Sequence, residues 1–175
     1  KAEKLIEMDL NPGDLVTVAD REAEVKHGRI AMIGFAGWCA YMFGVHFPGM
    51  LSPSAGLSFA DVAAMNPVTA FFTLPGTALA QIFGFVSIFE FYEMTHKNGK
   101  WVGNVVFDGP MTPNMNTWDI LGFTEGKTEE DLVDMKTKEL KNGRLAMWGT
   151  LSFVAAATIP GSVPFITYAF PAFSL

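Results

Sequence analysis

Three long apolar runs alternate with charged stretches along this chain. Ile30–Phe47, Ala70–Phe89 and Leu145–Ile159 hold no formal charge, apart from what His46 can take up, and charges crowd just before the first and third. As a helix rising about 1.5 Å per residue, the third run reaches only roughly 22 Å, short of the about 30 Å of a bilayer core. It spans only by taking in the turns before it, which carry Glu139 and Arg144. The pattern predicts an all-α membrane fold with three transmembrane helices, at about 20–46, 68–95 and 129–158, in a single three-helix domain over 1–175. Asp20 is the expected N-cap of the first helix and His46-Phe47-Pro48-Gly49 its stop. Pro75-Gly76 is expected to kink the second near its start, and Thr128-Glu129-Glu130-Asp131 to open the third. A short amphipathic turn is expected at Phe59–Met65, and the aromatic tail Pro160–Leu175 is expected at the interface.

One stretch occurs twice, each time at the polar end of an apolar run. Glu24-Val25-Lys26-His27-Gly28-Arg29-Ile30-Ala31-Met32 returns as Glu139-Leu140-Lys141-Asn142-Gly143-Arg144-Leu145-Ala146-Met147. Two copies suit a pair of equivalent helices, the first and third, crossing about a pseudo-two-fold axis. The charges argue for the same crossing. Alone in lipid each would cost at least ~2.5–3.5 kcal/mol. If the helices cross, Glu24 meets Arg144 and Glu139 meets Arg29, the planar guanidinium suiting a carboxylate. Removing Arg144 is then expected to strand Glu24. Small residues at Gly28, Ala31, Gly34 and Gly37, and at Gly143, Ala146, Gly149 and Ser152, permit the close approach.

Composition narrows the class. Half of the 175 residues are apolar, with 16 Phe and 10 Met, and the net charge of −6 argues against a nucleic-acid partner. Lys1–Leu10 is charged and mixed and does not read as a signal or transit peptide. All 12 Lys and Arg lie before Ile30, at Lys97–Lys100, or between Lys127 and Arg144. Under the positive-inside rule the N-terminus and the 97–144 region share one side, and the 46–69 loop and the C-terminus share the other.

An enzyme is not expected. The lone Cys39 sits in an apolar run, and no nucleophile triad, phosphate loop or multi-ligand metal cage is visible. Potential metal ligands come one at a time instead: Glu24, His27, Gln81, Glu90, Glu139 and Asn142. Single ligands suit a metal already held by a macrocycle, where the protein fills one axial position. Chlorophyll is such a case. A carboxylate ligand in lipid then needs a nearby Arg, as the crossed pairs supply.

The duplicated Glu-x-Lys-(His/Asn)-Gly-Arg-x-Ala-Met resembles the signature of the light-harvesting chlorophyll-binding family, over about Asp20–Gly161. The resemblance implies axial Mg ligands at Glu24, His27, Glu139 and Asn142 on the crossed helices and at Gln81 and Glu90 on the second, with Arg29 and Arg144 closing the ion pairs. His46 and His96 are expected at the interface. Trp118-Asp119-Ile120-Leu121-Gly122-Phe123 resembles the family's Asp-Pro-Leu-Gly carotenoid turn, with Ile120 in place of Pro. Other departures are Glu93 where an Arg would compensate Glu90, Val154–Ala157 where a late ligand Gln would fall, and no amphipathic fourth helix with a His ligand after Gly161.

Lys-His-Gly-Arg-Ile-Ala-Met and the short loops resemble the chlorophyll a/c antennae of red-lineage algae more than the plant type. The cofactors so implied are chlorophyll a, chlorophyll c and carotenoids of the fucoxanthin, peridinin, diadinoxanthin or alloxanthin kind. The implied partners are neighbouring antenna subunits, thylakoid lipids and a photosystem core, photosystem I being favoured. The implied location is the plastid thylakoid membrane, with the N-terminus and 97–144 loop stromal and the 46–69 loop and C-terminus lumenal. The expected function is an antenna that passes excitation energy to a photosystem. Its rivals are a photoprotective quencher of the same fold and a pigment-free structural membrane subunit.

Overall fold

A computed structural model describes residues 18–95, 107–109, 112–115 and 122–169. His96, Lys97, Lys100, the residues Trp118–Leu121 of the apolar patch and the side chain of Glu93 lie outside the described set. The described chain is mostly helical: α1 Val18–Met42, α2 Phe59–Ala63, α3 Pro67–Thr73, α4 Gly76–Thr95, α5 Glu129–Thr158 and α6 Pro164–Ala169. Two small antiparallel hairpins depart from the all-α expectation: β1 Met50–Ser52 with β2 Leu57–Ser58, and β3 Phe107–Gly109 with β4 Thr112–Met115.

Local chemistry sets the boundaries. Helix α1 begins at Val18, so Asp20 lies in its first turn rather than at its N-cap. It stops at Met42, before the expected breaker. Gly44 adopts a left-handed φ of 71°, its N–H bonds Tyr41 O at 2.9 Å, and Val45 N–H reaches back to Ala40 O at 2.9 Å. This double closure needs a residue without a Cβ penalty, which is why Gly44 and not Pro48 decides the end. Helix α2 is the expected amphipathic turn, and it opens on a reciprocal cap between Ser58 and Asp61. Thr128 and Asp131 repeat that device at the start of α5, where Thr128 Oγ1 donates to Asp131 Oδ2 at 2.7 Å.

The second helix is broken rather than kinked. Leu74, preceding Pro75, is forced into extended backbone at ψ 137° and closes α3. The Pro75 carbonyl then accepts from Ala78 and Leu79 to start α4. Helices α3 and α4 meet at a 104° bend. The tail holds a short helix, α6.

The chain divides into two compact units, Lys1–Arg29 with Phe85–Arg144, and Ile30–Gly84 with Leu145–Leu175. The first is held by charge at the meeting of α1 and α5. The second has the apolar core, with Ala31, Ala70, Ala146, Phe153 and Ile166 buried. There Phe153 stacks on Phe35, with centroids 5.1 Å apart, and on Trp38, at 5.6 Å. Thr150 Oγ1 donates to Ala31 O at 3.2 Å, and Asn66 ties the start of α3 to Ala157 O at 3.0 Å.

No single described helix is both long enough and apolar enough to cross a bilayer; α3 and α4 to Phe91 pass that test only together. The physical reason is the one visible in the sequence: α5 stays charged as far as Arg144, leaving about 21 Å of apolar helix. Large apolar side chains nevertheless point outward on every long helix, among them Ile30, Ile33, Phe83, Ile88, Leu145 and Trp148.

Candidate functional site

Gly28 and Gly143 form the point where α1 meets α5. A Cβ built on Gly28 would lie 3.0 Å from Gly143 Cα, and one on Gly143 would lie 2.9 Å from Gly28 Cα. Only glycine at both positions lets the backbones touch. The reach of the small-residue stripe is shorter than expected, since a Cβ at Gly37 would meet nothing within 4 Å.

This contact sets the two repeated motifs against each other, and the charges pair reciprocally. Arg144 Nε donates to Glu24 Oε1 at 2.6 Å, and Arg29 Nε donates to Glu139 Oε1 at 2.7 Å. The crossed pairs expected from the repeat are therefore present. Each glutamate also holds a second cation from its own helix. Arg21 Nη1 bonds Glu24 Oε2 at 2.7 Å, and Lys136 Nζ bonds Glu139 Oε2 at 3.3 Å. Loss of Arg144 would thus not leave Glu24 unpaired, which corrects that expectation. The repeat had a signal for it, because a basic residue stands three before the Glu in both copies.

The remaining candidate ligands are single and exposed. His27 Nδ1 lies 2.7 Å from the Ala23 carbonyl, one turn back. A carbonyl only accepts, so Nδ1 carries the donated proton, and in the neutral ring Nε2 is the nitrogen with the lone pair. Such a hydrogen bond fixes ring orientation and tautomer as metal-ligating histidines need. Asn142, its counterpart, and Gln81 on α4 are exposed amides. Glu90 on α4 receives Lys26 Nζ at 2.6 Å. Lys26 is the counter-charge that Glu93 could not provide, and pairing across 64 positions left no trace in local sequence. His46 Nδ1 lies 3.2 Å from the Phe47 carbonyl in the loop after α1.

These residues fit a macrocycle that brings its own metal. No group of three or more His, Cys, Asp or Glu that could hold a bare ion occurs among the described residues. A carboxylate has about four lone-pair sites. The charged donors on Glu24 and Glu139 take two in each, leaving oxygen lone pairs for an axial bond while neutralising the charge. The exposed Ile30, Ile33, Leu145 and Trp148 offer apolar surface for a ring's face.

Known proteins are similar to this chain over most of its length. The sequence model of the family described as "Chlorophyll A-B binding protein" matches residues 14–158. The chain is similar to fucoxanthin-chlorophyll a-c binding protein F, chloroplastic, of Macrocystis pyrifera, at 36% identity over 164 residues, 90% of this chain and 72% of that one. Protein D of the same organism is 38% identical over 151 residues, 82% of this chain and 77% of the relative. The fucoxanthin-chlorophyll a-c binding protein, chloroplastic, of Trieres chinensis is 32% identical over 151 residues, 83% of this chain and 68% of the relative.

Proposed function

The chain belongs to the chlorophyll-binding light-harvesting family, in its red-lineage chlorophyll a/c branch, and from that premise we propose how its residues hold pigment. Its role is that of an antenna. Members of this family bind pigment and are not enzymes. Bound chlorophyll absorbs the light and passes the excitation on. The chain's own work is to fix where each ring sits and to keep charge balanced around it.

In this reading Glu24 and Glu139 would hold chlorophyll metal, their charge offset by Arg144 and Arg29, and His27 would offer Nε2. Asn142 and Gln81 offer amide oxygens, and Glu90 offers a carboxylate. The observation that carries the reading is the reciprocal pairing of Glu24 with Arg144 and Glu139 with Arg29, which makes two carboxylates usable in an apolar setting. The pigments proposed are chlorophylls a and c with a carotenoid of the fucoxanthin type, in keeping with the names of the relatives. The partners are neighbouring antenna subunits, lipid and a photosystem core. Neither the family nor the relatives favours photosystem I, so that preference is dropped.

The proposed location is the plastid thylakoid. Three spans built on α1, the α3–α4 pair and α5 would place the N-terminus and the 97–144 region in the stroma, and the 46–69 loop and C-terminus in the lumen. We take 1–175 as one three-helix domain, since α1, α4 and α5 each contribute residues to both compact units.

The quencher reading needs a lumenal carboxylate that protonates in mild acid. Asp61 does the opposite: hydrogen bonds from the Ser58 side chain and backbone hold its carboxyl below the ordinary aspartate value. The test of the antenna reading is the absorption spectrum of gently purified protein, followed by pigment extraction. Chlorophylls a and c with a fucoxanthin-type carotenoid are the expected result. A folded but colourless protein would overturn it.

A further inference from the structure

Glu90 is the carboxylate on α4 among the candidate ligands, and it takes its charged partner from α1. Lys26 Nζ lies 2.6 Å from Glu90 Oε2, and this is a contact between α1 and α4 inside one compact unit. Lys26 belongs to the duplicated motif, and its counterpart Lys141 is exposed on α5. The duplication therefore placed a lysine on both crossed helices, and among the described side chains the α1 copy stands beside a carboxylate of α4.

The charge count explains why such a lysine would be needed. In chlorophyll the two negative charges of the macrocycle already balance Mg²⁺. A glutamate bound to that metal brings a further negative charge that nothing in the ring offsets, and low dielectric makes an uncompensated charge costly. An ammonium is a compact point charge that binds a single carboxylate oxygen readily, whereas a guanidinium fork tends to occupy both. Lys26 holds Oε2 and leaves Oε1 for another partner.

We propose that Lys26 is a positioning residue for a chlorophyll held by Glu90: it offsets the carboxylate's charge, fixes Oε2, and leaves Oε1 for the metal. This rests on the light-harvesting reading above and assigns a role to the one basic residue of the first motif that the crossed pairs do not use.

The test uses the full chain refolded with extracted chlorophylls and carotenoids. Pigment per chain is measured, and difference absorption and circular dichroism spectra are taken for Lys26→Met, Glu90→Leu, Glu90→His and the double variant Lys26→Met/Glu90→His. The expected result is that Lys26→Met and Glu90→Leu each lose the same chlorophyll and the same spectral band. The double variant should regain that band, because a neutral imidazole ligand needs no counter-charge. A merely structural salt bridge would not be rescued in this way.

If Lys26→Met keeps the pigment that Glu90→Leu loses, the proposal is overturned while the antenna reading stands. The same holds if Glu90→His keeps the band and the double variant does not. If Glu90→Leu loses no pigment, Glu90 is not a ligand and the proposal falls with it. A wild-type chain that takes up no pigment at all would overturn the antenna reading itself.

Discussion

The two copies of the repeated motif agree at the crossing and part company around it. Both glutamates accept from an Arg of the other helix at nearly the same distance, 2.6 Å and 2.7 Å. Both also take a cation from their own helix, but Arg21 is buried and 2.7 Å from Glu24, while Lys136 is partly exposed and 3.3 Å from Glu139. In the apolar unit the difference widens. A Cβ on Gly149 would lie 2.8 Å from the Phe35 ring, whereas the nearest atom to a Cβ on the equivalent Gly34 is Thr150 Cγ2 at 4.0 Å. Charge in a poorly hydrated setting tolerates little variation in its partner, so the lock is kept in duplicate. Packing further along needs only filled volume, and Phe35 can fill on one helix what Thr150 leaves short on the other.

The largest effect should come from the point where the copies are most alike. Gly28→Val and Gly143→Val each drive a side chain into backbone that cannot yield. Overpacking of this kind costs about 1–3 kcal/mol and more where backbone must shift. Both variants should show similar losses in yield and melting temperature of the refolded complex. Gly34→Ala, whose Cβ would make an ordinary 4.0 Å contact with Thr150 Cγ2, should be near neutral, and a loss as large as that of Gly28→Val would sink the crossing-point argument.

The next effect should separate the copies. Arg29→Leu leaves Glu139 with the longer, more exposed Lys136 contact, while Arg144→Leu leaves Glu24 with Arg21. A hydrogen bond to a charged group is worth roughly 1.5–3 kcal/mol, and partial exposure puts these pairs toward the lower end. Thermal melts should therefore rank Arg29→Leu below Arg144→Leu. Equal melting points would mean that the second cation on each glutamate adds nothing.

The smallest effect concerns Asp61, which lies on neither copy. Its folded carboxyl is held below the ordinary aspartate value by Ser58. The stabilisation is therefore present above the unfolded pKa and is lost only as pH falls through the lower folded one. Acidifying from about pH 7 to about pH 5 leaves Asp61 ionised. Fluorescence lifetime over that range should be the same in wild type and Asp61→Asn. A pH response that Asp61→Asn removes would revive the quencher reading.

Much of the site was legible because charge in an apolar context carries its own demand for a partner. Glu24 with Arg144 and Glu139 with Arg29 followed from the repeat and from the cost of leaving either charge alone. Arg21 and Lys136 were equally visible as a shared basic position, yet nothing local says that a residue one turn back will turn toward the glutamate rather than to water. Lys26 with Glu90 had no such signal, because the two belong to different helices and share no periodicity.

What the sequence determined by itself is the set of local choices and obligations. It carries three apolar runs, a duplicated motif, glycines at the crossing, a helix opening at Thr128, and charges that must pair. These depend on near neighbours and on the cost of an unmet charge, and both can be read along a chain. Only the tertiary structure decided which obligation met which partner. It tied Asn66 to the Ala157 carbonyl and Thr150 to the Ala31 carbonyl, and it brought Lys26 to Glu90. Each of these depends on which backbone path lets distant groups come within hydrogen-bond range, and that is a property of the folded chain, not of any stretch within it.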